Sequence, residues 1–257
     1  MDLELALIDM DGTVYHGERM IEGAETAVEY LRENGVEVFF MTNYAGRKRE
    51  KYSEMLNEMG IEASRDEIMT SGWLTAEYIV QNFPGAEVFV LGESDLKEEL
   101  REQGVKVQET CESPDVVVAS NKEDFSYDDL TEIIQGVSRD VKLIGTNPDE
   151  TYVHEEGELP AAGPIIAAVE NMLGKKAEVI GKPSEDVIEV VSKMKNQDAE
   201  DFLVVGDRLN TDILLGNEND AETALVLTGV TDQEDLENSD IKPDHVLNSI
   251  ADLDEVF

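Results

Sequence analysis

The segment Ala6-Leu7-Ile8-Asp9-Met10-Asp11-Gly12-Thr13 constrains the fold of this chain more than any other stretch. An apolar run stops on two carboxylates spaced i, i+2, and a Gly-Thr turn follows. A short run of this kind reads as a buried strand of a parallel sheet. Residues two apart on a strand point to the same side. Asp9 and Asp11 are therefore expected to leave the strand end facing one crevice, where open α/β sheets bind ligands. Two carboxylates held this close repel each other, and a divalent cation or a shared proton relieves the repulsion.

Strand-like and helix-like patterns alternate along the rest of the chain, the mark of an α/β fold. The patterns predict strands over 5–8, 36–42, 87–91, 115–120, 142–146, 201–206 and 223–227, with a short last one over 245–247. They predict helices over 24–33, 49–59, 95–103, 127–138 and 163–173, and a helical stretch that follows Ser71-Gly72-Trp73 and runs to about 82. Gly35, Gly60, Gly104 and Gly174 stand where helix ends favour glycine. Trp73 reads as core or core rim.

Charge narrows the partners. The chain of 257 residues carries 59 acidic against 20 basic side chains, a net charge of −39. Such a surface repels nucleic acid and anionic lipid. The acids are spread along every segment, as in Glu98-Glu99, Asp128-Asp129 and Asp232-Gln233-Glu234-Asp235. That spread resembles the acidic proteins of salt-accumulating halophiles, and the expectation is a fold and activity that need high salt. No apolar run approaches the ~18 residues of a membrane span. Met1-Asp2-Leu3-Glu4 is acidic where a secretory leader is basic. The single Cys111 excludes an internal disulfide and reads as a small core or surface thiol. The expected location is the cytoplasm.

Four polar groups each follow an apolar run. They are Asp9-Met10-Asp11-Gly12-Thr13, Thr42-Asn43, Lys182 within Gly181-Lys182-Pro183, and Gly206-Asp207-Arg208-Leu209-Asn210-Thr211-Asp212. If their strands are parallel neighbours, all four meet above the carboxyl ends of one sheet. Carboxylates, a hydroxyl, an amide and an ammonium together suit Mg²⁺ and a phosphate group. No P-loop and no Gly-x-Gly-x-x-Gly occurs, so nucleoside triphosphate and dinucleotide use have no support.

These motifs, in this order, resemble the haloacid dehalogenase (HAD) superfamily of phosphohydrolases. Asp-Gly-Thr-Val-Tyr-His-Gly, Met-Thr-Asn and the Gly-Thr-Asn-Pro-Asp at 145–149 narrow the likeness to the NagD / p-nitrophenylphosphatase / phosphoglycolate phosphatase branch. The resemblance implies a Rossmann-like parallel-sheet core with an inserted α/β cap. It implies hydrolysis of a small organic phosphate monoester through an aspartyl-phosphate, with Mg²⁺ as cofactor. Asp9 would be the nucleophile and Asp11 the general acid, then the base. Asp9, Asp207 and the backbone carbonyl of Asp11 would bind the metal, and Asp212 would support it. Thr42 and Lys182 would hold the phosphoryl group, with Asn43 and the Tyr44 backbone nearby. Lys182 would also help to keep Asp9 ionised. A protonatable Asp11 separates phosphate chemistry from carbon dehalogenation. Two positions depart from the branch: Tyr44-Ala45-Gly46 follows Thr42-Asn43, and Asn210 stands where relatives often carry Asp.

The stretch between the second and third motifs is far longer than one crossover needs. The expected division is a catalytic core over 1–81 and 178–257 and a cap over 82–177, the cap closing over the crevice and selecting the leaving group. Thr146-Asn147-Pro148-Asp149 and the loop 158–164 would either face substrate or serve as turns alone. Tyr15 and His16 would line the entrance or pack, and His154 reads as a surface residue. The same aspartyl-phosphate would also serve a phosphotransferase or mutase. A phospho-acceptor signalling domain shares the residue types but is shorter, and its acidic pair and acceptor lie on different strands. The expected partner is a small phosphate ester, with a homodimer left open.

Overall fold

A computed structural model describes residues 3–154 and 157–256. The chain forms two compact units. The first comprises Met1–Thr42, Arg49–Met69 and Lys182–Phe257, the second Asn43–Lys48 and Thr70–Gly181. The segment 82–177 lies within the second unit, which also takes in 43–48, 70–81 and 178–181.

The first unit is built on a six-stranded sheet in the order His245–Leu247, Glu222–Val226, Phe202–Gly206, Leu5–Asp9, Glu37–Thr42, Ile68–Thr70. The four pairings from His245–Leu247 across to Glu37–Thr42 are parallel. Numbered along the chain, the strands run 6-5-4-1-2-3, so the order reverses beside Leu5–Asp9. Leu5–Asp9 and Phe202–Gly206 are buried throughout, which explains why both are continuous apolar runs rather than alternating ones. Ala24–Glu33 turns Ala24, Ala27, Val28 and Leu31 inward, the i, i+3, i+4, i+7 spacing of one helix face.

The second unit carries its own five-stranded parallel sheet, ordered Glu178–Val179, Lys142–Gly145, Val116–Ala119, Glu87–Leu91, Lys106–Gln108. Phe89, Leu91, Val117, Ile133, Ile165 and Val169 share its core with Cys111. Burial pushes the Cys111 thiol up to about 11, so of the core and surface readings the structure shows the core one. Trp73 is also buried.

Ala24–Glu33 and Glu87–Leu91 have the bounds read from the sequence, while Ser71–Asn82 takes Ser71-Gly72-Trp73 into its first turn, the Thr70 hydroxyl accepting from the Trp73 N–H. The differences are instructive. Glu185–Lys195 is a helix where none was expected, with the Ser184 hydroxyl accepting from the Asp186 N–H at its start and Val187, Ile188, Val190 and Val191 buried. The expected loop over 158–164 is instead the end of a hairpin, Thr151–His154 against Gly157–Pro160, followed by the helix Ala162–Leu173. Pro160 ends a strand and Pro164 lies in a first helical turn, and neither position needs an N–H. The side chains of His154 and Glu158, and residues Met1 and Asp2 of the leader reading, lie outside the described residues. Among the described residues, no helix is long and apolar enough to cross a membrane.

Candidate active site

Leu5–Asp9 and Phe202–Gly206 run side by side with Ile8 beside Val205. Asp9 and Asp207 therefore emerge together at the point where strand order reverses, the place where open α/β sheets bind ligands. Glu37–Thr42 flanks the other side, Asp9 beside Met41, and brings half-buried Thr42 to the same sheet edge.

Asp9, Asp207 and Asp212 each place a carboxylate oxygen within 4.8 Å of the other two. The Lys182 ammonium donates to Asp9 Oδ1 and, at 2.5 Å, to Asp212 Oδ1. Asp9 is 9% exposed, Lys182 3%, Asp207 1% and Asp212 0%. Asp212 Oδ2 accepts from the Arg208 N–H at 3.2 Å and from the Thr211 hydroxyl at 3.4 Å. Asp207 Oδ2 accepts from the Val230 N–H at 2.6 Å. Asp207 Oδ1 is buried and meets no donor among the described residues. Asp11 differs from these: it is exposed, and its carboxylate stands outside the group of three.

Burial pushes the Asp9 carboxyl well above its ordinary range; Lys182 opposes the rise, and Asp212 and Asp207 add to it. Asp207 is pushed up to about 6, by burial first and then by Asp212, against the Val230 N–H, Arg208 and Lys182. Lys182 also loses hydration, but Asp212 and Asp9 outweigh that and hold it charged. The Asp11 carboxyl is raised by lost hydration, against the Gly17 N–H, His16 and Arg208. Lys182 acts on Asp9 in the direction that favours the ionised form, and burial acts against it. Fully ionised, the four buried side chains leave two negative charges uncompensated. A divalent cation with a preference for hard oxygen ligands fits that deficit, and the orphaned Asp207 Oδ1 is a ready donor for it.

Asn43 and Tyr44 belong to the second unit. Asn43 Nδ2 donates to Asp149 Oδ1 at 3.1 Å, and its carbonyl accepts from Asn147 Nδ2 at 2.6 Å and the Ser71 hydroxyl at 2.5 Å. The Asp149 N–H donates to Asn147 Oδ1 at 3.2 Å, so turn chemistry accounts for Asn147. The Tyr44 ring packs on Tyr152 with centroids 5.3 Å apart. Burial, then the neighbouring Tyr152, pushes the Tyr44 phenol up to about 12.

Sequence reasoning missed the segment after Glu222–Val226. A Cβ on Gly229 would lie 1.9 Å from Asp207 Oδ2, and one on Gly12 would lie 2.5 Å from the same atom. Only glycine allows this approach. The Leu227-Thr228-Gly229-Val230 sequence, a glycine just past a strand, was the available signal.

Comparison with known proteins agrees with this geometry. A family model described as haloacid dehalogenase-like hydrolase matches residues 6–106, and a second HAD-like hydrolase model matches 179–253. An acid sugar phosphatase of Staphylococcus saprophyticus is 36% identical over 251 residues, 98% of this chain and 95% of that protein. The chain belongs to the haloacid dehalogenase-like hydrolases. Within them it falls in the NagD / p-nitrophenyl phosphatase branch. A p-nitrophenyl phosphatase from Archaeoglobus fulgidus superposes with a TM-score of 0.93 at 34% identity, covering 100% of both chains. A glycerol phosphate phosphatase from Mycobacterium tuberculosis in complex with magnesium superposes with a TM-score of 0.88 at 28% identity, covering 98% of this chain and 76% of that one. This HAD-like hydrolase is a phosphatase, a phosphoric monoester hydrolase. Its fold is that of the family: a Rossmann-like core and an α/β cap domain.

Proposed function

We propose that the protein hydrolyses small organic phosphate monoesters, sugar phosphates foremost, through an aspartyl-phosphate and with Mg²⁺. The grouping of Asp9, Asp207 and Asp212 around Lys182, with Asp207 Oδ1 lacking a donor, carries this reading. The similarity to an acid sugar phosphatase favours the substrate class, and the relative in complex with magnesium favours the metal.

In this reading the Asp9 carboxylate attacks phosphorus and the ester P–O bond breaks. The leaving oxygen takes the proton held by Asp11. Water then gives a proton to Asp11 and attacks the same phosphorus, releasing inorganic phosphate and restoring Asp9. Splitting one displacement into two lowers each barrier. Lys182 and Thr42 steady the phosphoryl oxygens. Asp9, Asp207 and the Asp11 carbonyl would hold the metal, with Asp212 in support through Lys182. Bound there, Mg²⁺ would neutralise charge on the phosphate and on the carboxylates that must approach it. Asn43 and the Tyr44 backbone would serve the substrate, and the stretch 82–177 would act as the cap that selects the leaving group. The enzyme would work in the cytoplasm with a small ester as partner, engaging neither nucleic acid nor membrane.

A panel of phosphate esters assayed with Mg²⁺ and with chelator tests the reading. Wild-type protein should release phosphate only with the metal, and Asp9→Asn should keep its fold and lose turnover. A near wild-type rate in Asp9→Asn would sink the covalent route. Transfer of phosphate to an added alcohol, in place of its release to water, would instead mark a phosphotransferase. Running the panel in dilute and in molar KCl tests the halophilic reading, since salt shortens the Debye length from about 10 Å at 0.1 M to about 3 Å at 1 M. Activity and melting temperature should both rise with salt. Full activity and stability in dilute buffer would refute a salt requirement.

A further inference from the structure

The segment Thr228–Val230 makes three polar contacts that none of the four motifs contains. The Thr228 hydroxyl donates to the Gly12 carbonyl at 2.7 Å. The Thr228 carbonyl lies 2.6 Å from His16 Nε2, and a carbonyl only accepts, so this ring nitrogen carries the proton. Two residues on, the Val230 N–H donates to Asp207 Oδ2 at 2.6 Å. The Thr231 N–H closes the loop on the Asp207 carbonyl at 3.1 Å. Gly229 and Gly12 stack against the same carboxylate, a Cβ on Gly12 falling 3.2 Å from the Gly229 Cα.

We propose that Thr228 is a positioning residue for metal binding. It pins the strap 228–230 to the turn after Asp11, so that the Val230 N–H grips one oxygen of Asp207 and leaves the other, Oδ1, turned toward the cation. The donor on Oδ2 selects which oxygen is spent inside the protein and which is offered. A rotated carboxylate would trade these roles, and the glycine backbones on either side leave it no room to do so while the strap is held. His16 fastens the strap from the hairpin Tyr15–His16/Arg19–Met20. Holding a metal ligand through a second layer of hydrogen bonds is a general way to set affinity. Thr228 touches neither substrate nor metal in this scheme.

The inference rests on the metal reading above, and the test separates the two. Mn²⁺ binding to substrate-free protein is measured by electron paramagnetic resonance, without turnover. Wild-type protein should bind one tightly held ion that Asp207→Asn loses. Thr228→Val keeps the shape and deletes the donor, and should weaken that site about fivefold, the worth of one ordinary hydrogen bond. Thr228→Ser should restore it. His16→Phe cuts the other tether and should also weaken the site, while His16→Gln, which keeps a donor, should not. With saturating Mg²⁺, the KM for p-nitrophenyl phosphate should be unchanged in Thr228→Val. No tight Mn²⁺ site in the wild type overturns the metal reading itself. Wild-type affinity in both Thr228→Val and His16→Phe overturns the positioning role alone. Equal weakening in Thr228→Ser and Thr228→Val also overturns it, because shape and not the donated bond would then be the cause.

Discussion

Both units are wound on parallel sheets, yet the carboxyl ends of those sheets hold opposite chemistry. In the first, three carboxylates and one ammonium are buried with a deficit of positive charge and an orphaned acceptor. In the second, the buried residues just past Val116–Ala119 and Lys142–Gly145 are neutral and bonded to their neighbours. The Ser120 and Thr146 hydroxyls lie 2.9 Å apart, and Asn147 bonds to the Asn43 carbonyl and to the Asp149 N–H. A parallel sheet thus supplies a place and no reaction. The residues just past each strand decide whether that place is a reactive centre or a well-knit turn.

Removing a partner should separate the two ends most clearly. Lys182→Ala strips the only ammonium that bonds both Asp9 and Asp212 among the described contacts. Leaving buried charges unpaired costs about 3–5 kcal/mol. Denaturation in chelator should show that loss, added Mg²⁺ should recover part of it, and turnover should collapse. Unchanged stability in chelator would mean that the cluster is not strained by its own charge.

Acidity gives a second, smaller effect with a definite sign. Asp207 is raised from 3.8 to about 6 in the folded chain. The metal-free fold therefore keeps a proton that the unfolded chain releases earlier. That preference stabilises the fold fully below the unfolded value and is lost as pH rises through about 6. The loss is on the order of 3 kcal/mol at most. Denaturation in chelator and molar salt, across pH 4 to 7, should show wild-type stability falling more than that of Asp207→Asn. Parallel curves for the two proteins would remove Asp207 as the source.

The smallest effect belongs to the second sheet. Asn147→Ala breaks buried hydrogen bonds between neutral groups, each worth about 1 kcal/mol. Stability should drop by that order while Mn²⁺ affinity and the pH response stay as they were. A loss of metal affinity matching that of Asp207→Asn would erase the contrast between the two sheets.

Much of this was legible in the chain itself. Leu5–Asp9 and Phe202–Gly206 are runs of apolar residues stopped by acid, and a strand buried on both faces has no other pattern to show. Asp9, Asp207, Asp212 and Lys182 came together because each follows a strand or returns to one. Glu185–Lys195 escaped notice because Val187-Ile188 and Val190-Val191 are β-branched pairs, which favour strands locally; the Ser184 cap and burial on one side made the segment helical. The hairpin Thr151–His154/Gly157–Pro160 is short, and its pairing depends on a partner strand rather than on periodicity. The Val230 N–H was invisible for a deeper reason. A backbone group has no letter of its own, and its value here depends on where Asp207 stands.

That last contact sets an unusual rule for variation. At position 230 the side chain is 53% exposed while the main-chain N–H is engaged with Asp207. A library randomised there and screened for phosphatase activity should accept nearly every amino acid and reject proline, the one that lacks the hydrogen. Randomised next door, position 229 should return glycine alone. Two adjacent codons would then record, one by tolerance and the other by silence, how closely the main chain is drawn around a single carboxylate.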